Sequence, residues 1–118
     1  MKKLIAALFI LTASAGIAHA DNTTSYLCQV NGTAEQAVVV DVNMNGNESF
    51  TVFTTAGEAV YMSPHLTEAL DNFGLKGVRD NVEYASFPNR FAVTDHNLKK
   101  AYGFINCQEI SSDFAWNK

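Results

Sequence analysis

Asp41, Asn43 and Asn45 alternate along the chain and run into Gly46. That is the opening half of a calcium loop, in which alternate oxygens converge and a glycine permits the sharp turn. The pattern breaks where a bidentate Glu is required, because that position is Val52. The same stretch also reads as strand, turn and strand, with Asn-Gly as the hairpin signal, so no calcium is expected there. His65 and His96 have no His, Cys or carboxylate at ligand spacing, and no metal site is expected at either. The chain has no G-x-S-x-G, no P-loop and no glycine-rich nucleotide fingerprint. Acid pairs of the glycosidase type meet only in the fold, so spacing along the chain does not decide on them. No cofactor is implied, and the chain reads as a non-enzyme.

Two groups of residues remain. Cys28 and Cys107 are the two cysteines of the chain. They lie far apart without a C-x-x-C pattern, and in an oxidising compartment such a pair reads as a structural disulfide. Closing so long a loop is worth about 4.5 kcal/mol in the chain-entropy account. The second group is Tyr84-Ala85-Ser86-Phe87-Pro88-Asn89-Arg90, which sets Tyr, Phe and Arg around a Pro-Asn turn. Tyr and Arg are enriched in binding hot spots, and a proline-stiffened tip loses little entropy on docking. Tyr84, Phe87, Asn89 and Arg90 are therefore the candidate partner-binding residues. An ordinary hairpin with Tyr84 or Phe87 facing the core is the competing reading.

The elements that must position these residues are mostly strands. Ser25 to Val30 is a first strand carrying Cys28, and Glu35 to Asn43 is a β-branched second. Asn45-Gly46-Asn47 is the turn before Glu48 to Thr55. A three-residue loop there sets Val42 opposite Phe50 and Val40 opposite Val52, which gives one apolar face. Glu58 to Met62 is a fourth strand. A helix is predicted next, with Ser63 as N-cap, Pro64 at the first position and Gly74 past the end. Leu66, Ala69, Leu70 and Phe73 fall at helical spacing on one face. Asp80 to Phe87, Arg90 to Thr94 and Lys99 to Glu109 complete the strands. In the last, Ala101, Gly103, Ile105 and Cys107 share one face, and Tyr102, Phe104 and Asn106 the other. The expected fold is α+β: a mostly antiparallel sheet of about seven strands with one short helix, its first and last strands joined by the disulfide. Phe114 and Trp116 in the polar tail are expected to dock, on the core or on a partner.

The first twenty residues have the layout of a secretory leader. Lys2 and Lys3 precede an apolar run from Leu4 to Leu11, and Ala18-His19-Ala20 supplies small residues for cleavage. The expectation is a 1–20 signal peptide, a periplasmic address, and a single compact domain over 21–118 with no membrane insertion after cleavage. Removing Lys2 and Lys3 leaves six basic against twelve acidic side chains, net −6. That balance repels nucleic acid and anionic lipid.

Taken together, the leader, the acidic domain of about one hundred residues, and cysteines in SYLCQV and GFINCQE resemble the periplasmic immunity proteins of type VI secretion systems. The layout is similar to that of an immunity protein for a lysozyme-like effector, one that degrades peptidoglycan. The resemblance implies an inhibitor that puts a rigid loop into the effector's glycan cleft. Arg90 would pair with a carboxylate there, while Tyr84 and Phe87 would fill sugar subsites. It also implies a homodimer. The chain resembles small periplasmic lysozyme inhibitors in size and strand content, but lacks their Ser-Gly-x-x-Tyr stretch. The alternative is a small periplasmic enzyme or ligand-binding protein. A convergent carboxylate pair in a deep pocket would favour that alternative, and exposed aromatics on a loop would favour the inhibitor.

Overall fold

The structure, a computed structural model, describes residues 23–110. The leader and the Phe114 and Trp116 tail lie outside the described residues. Nine strands follow in chain order: β1 Thr23–Val30, β2 Gln36–Met44, β3 Asn47–Thr54, β4 Ala59–Met62, β5 Glu68–Ala69, β6 Leu75–Arg79, β7 Val82–Phe87, β8 Arg90–Asp95 and β9 Lys100–Ile110. They form one antiparallel sheet in the order β4-β3-β2-β1-β9-β8-β7-β6-β5, curled into a half-barrel. Two meanders therefore run outward from the centre, and β1 beside β9 joins them.

Tight turns set the registers. Asn45 and Gly46 both have positive φ, 55° and 81°, the conformation of a two-residue type I′ hairpin. Met44 pairs with Asn47, which places Val39 opposite Val52 and Asp41 opposite Phe50. The expected three-residue loop, with Val42 opposite Phe50 and Val40 opposite Val52, is thus corrected by one residue. The turn chemistry prevails over the tidier apolar pairing, and its consequence is that Asp41 faces inward. Asp80 and Asn81 make a second turn with both φ positive.

The α+β expectation is also corrected, because the described residues are nearly all sheet. Where the helix was expected, the chain runs extended through Leu66, forms β5, makes one turn of 3₁₀ helix at Asp71–Phe73 and enters β6. Ten residues are too few to hold a helix without burying a face. Of the four apolar positions at helical spacing, only Leu66 is buried; Phe73 is 94% exposed. Ser63 does not cap. Its hydroxyl accepts the Phe50 N–H at 2.8 Å and donates to the Pro64 carbonyl. The Leu66 N–H bonds the Glu48 carbonyl and the Thr67 N–H the Lys76 carbonyl, so residues 63–67 strap the β3 side of the sheet to β6. Gly77 permits this close crossing, since a Cβ there would lie 3.0 Å from the His65 carbonyl.

The concave face holds the core. Val39, Phe50, Val52, Tyr84, Phe91, Val93 and Phe104 are all buried. Phe50 sits at its centre, 4.9 Å from the Phe91 ring and edge-on to Tyr84 at 5.9 Å. Each such side chain removed from water stabilises the fold by about 1.5–3 kcal/mol. The Cys28–Cys107 disulfide links β1 to β9 at a register shift. Asn106, with φ 52°, is the irregular residue of β9. It reverses the alternation, so Cys107 packs on the core together with Tyr102 and Phe104 rather than on the opposite face.

Candidate functional site

The β7–β8 hairpin presents the expected turn. Phe87 pairs with Arg90, leaving Pro88 and Asn89 as a two-residue loop. Proline fixes the first position near φ −65°, and Asn89 takes the left-handed second position with φ 66°. The Arg90 guanidinium stacks on the Phe87 ring, 4.5 Å from its centroid. Pro88, Asn89 and Arg90 are exposed and Phe87 is half-buried. Gly74 lets Phe87 sit close, because a Cβ at that position would lie 2.5 Å from the ring. Phe73 stands beside the same tip with its side chain in solvent.

Tyr84 does not belong to this tip. Alternation along β7 turns it into the core at 5% exposure. Burial raises its pKa, while the Arg79 charge and, less, the Met62 backbone oppose the rise. Of the four residues expected to bind a partner, the structure brings Phe87, Asn89 and Arg90 together at the surface. It gives Tyr84 the work of tying β7 to β4.

Beneath the tip lies a recess of about 230 Å³ that sequence reading did not find. Tyr26, Asp41, Glu48 and Ser86 line it together with Phe73 and Phe87. The Ser86 hydroxyl donates to Glu48 Oε2 at 2.6 Å. Asp41 lies close enough to Glu48 for the two carboxyls to interact, which favours a protonated Asp41. Burial first, then the Glu48 hydrogen bond and charge, raises the Asp41 pKa to about 8. Asp41 Oδ1 is buried without a hydrogen-bond partner. Tyr26 is raised as well, by burial and then by the Asp41 charge. The signal for this cluster was present: a type I′ Asn-Gly turn forces Asp41 and Glu48 onto the concave face.

At the opposite end of the half-barrel, the Tyr61 hydroxyl donates to Asp95 Oδ2 at 2.8 Å, joining β4 to β8. The same bond holds the Asp95 carboxyl below its usual range, and burial with Asp95 contact raises Tyr61. On the outer face Glu83 bonds both His96, at 2.7 Å, and Lys76, at 3.2 Å, which lowers its pKa. Among the described residues no three His, Cys, Asp or Glu side chains group as metal ligands. No helix there is long and apolar enough to cross a membrane. Comparison with protein-family models, with curated proteins and with solved structures gave no match.

Proposed function

We propose that this chain is a periplasmic inhibitor that binds a peptidoglycan-degrading, lysozyme-like effector, acting as an immunity protein. The observation that carries the reading is the tip itself: Arg90 stacked on Phe87 across a proline-stiffened turn, with Phe73 fully in solvent beside it. A single exposed ring is ordinary, but two rings and an Arg gathered at one tip are not, and aromatic side chains paired with Arg are the usual anchors of interfaces. Stacking pre-orients the guanidinium, so little rotamer freedom is lost on docking. Arg90 meets a carboxylate in the effector's cleft, Phe87 and Phe73 cover sugar subsites, and Asn89 offers the cleft an amide. Tyr84 contributes by fixing the hairpin from below.

The test is inhibition of glycan cleavage by a co-encoded lysozyme-like hydrolase, titrated with the oxidised protein. Arg90→Ala and Phe87→Ala are each expected to weaken inhibition by more than about 1 kcal/mol, the hot-spot threshold, with melting unchanged in Arg90→Ala and lowered in Phe87→Ala, whose ring is half-buried. Glu68→Lys, an exposed charge on β5 two strands across from the tip hairpin, should alter mainly the association rate. Wild-type protein that inhibits no co-encoded cell-wall hydrolase would remove the reading.

A further inference from the structure

The curled sheet leaves a cleft of about 700 Å³ at the end away from the tip, within the range of small-molecule sites. Its most buried lining is apolar, formed by Ala37, Val52 and Phe104, with Val30 half-buried beside them. Two apolar side chains at its lip, Val60 on β4 and Leu98 in the β8–β9 turn, are 50% and 61% exposed. Apolar side chains thus occur both in the buried lining and at the exposed edge of the cleft. Tyr61, Tyr102 and Asp95 make the polar boundary. We propose that this cleft binds a single-chain, uncharged amphiphile, its alkyl chain along the apolar lining and a hydroxylated head at the polar boundary.

The charge of the head follows from the acceptors. Asp95 already receives the Tyr61 hydroxyl on Oδ2 and the Asn97 and Leu98 amides on Oδ1. A cation would find the buried Asp95 carboxylate occupied, and Glu35 is exposed, where a single ion pair contributes little. An anionic head would meet Asp95 and Glu35, both of which line the cleft. A hydroxyl can instead share the Tyr102 and Thr54 hydroxyls and the Gln36 amide. The same uncharged chemistry suits either a monoacylglycerol or a long-chain alcohol.

Fluorescence of N-phenyl-1-naphthylamine, a neutral apolar probe, reads occupancy in the oxidised protein. Saturable binding is expected, with displacement by 1-dodecanoylglycerol and by dodecanol below their aggregation concentrations. Dodecanoate and dodecylammonium should each displace at least tenfold less well. Val60→Glu and Leu98→Glu, both on the exposed lip, should weaken probe binding at least tenfold while circular dichroism is unchanged. Arg90→Ala, at the other end, should bind as wild type, which separates this cleft from the hydrolase-binding tip. Absence of saturable binding, equal displacement by a charged amphiphile, or wild-type binding by both lip variants would each overturn the proposal.

Discussion

Replacing Asp41 with Asn keeps the shape of a protonated carboxyl and removes its charge. Native Asp41 holds its proton far more tightly than an unfolded chain does, since its pKa rises from 3.8 to about 8. Its contribution to stability is therefore complete below pH 4, declines as pH rises through that interval, and levels off above about pH 8. At about 1.36 kcal/mol per unit, the full shift would exceed 5 kcal/mol. Asp41 is only partly buried, and solvent screening reduces this to roughly 2 kcal/mol. Urea denaturation of wild type and Asp41→Asn at pH 5 and pH 9 measures it. The wild type should lose about 2 kcal/mol more than the variant across that range, and the variant should be the more stable protein at pH 9. Parallel pH profiles would refute the protonated-Asp41 account. So would a variant less stable than wild type at pH 9, since the amide would then be a poorer partner for Glu48 than an ionised Asp41.

Other substitutions separate the parts of the fold. Tyr84→Ala should cost about 3–5 kcal/mol in urea denaturation and Tyr84→Phe about 1, because ring packing and the Met62 contact are distinct losses. Cys28→Ser should lower stability by about 2–5 kcal/mol, and the oxidised protein should show no free thiol after denaturation. Gly46→Ala, at φ 81°, should cost about 1–2 kcal/mol by thermal melting, since nothing but its backbone conformation is disturbed.

Strands rich in β-branched residues and bounded by Asn-Gly or Pro-Asn were legible, because their local chemistry and the sheet agree; the Asp80-Asn81 turn and β6 before it were not, because alternation runs on through Asp80. The segment from Ser63 to Gly74 was not, because its spacing fits a helix while its one buried anchor, Leu66, is taken by a long-range bridge to Glu48. Register failed at Met44–Asn47, where apolar matching and turn geometry disagree and the turn prevails. The error hid the recess, since it moved Asp41 to the outer face. The bulge at Asn106 likewise has no local signal; it follows from the requirement that Cys107 meet Cys28. Phe73 was read as a core residue because nothing in the sequence separates an exposed phenylalanine from a buried one.

The position of the disulfide has a mechanical side. Ser25 pairs with Ile110 and Tyr26 with Glu109, so both chain ends leave from the same end of the central β1–β9 seam. Tension applied to those ends peels the seam open one pair at a time, and only Leu27–Gln108 follows before Cys28–Cys107 takes the load. Everything between the two cysteines is then a covalently closed ring that carries no force. An exopeptidase entering at either end stops at the same place. The hairpin tip and the cleft both lie inside the ring, so wear at the termini leaves them in one piece.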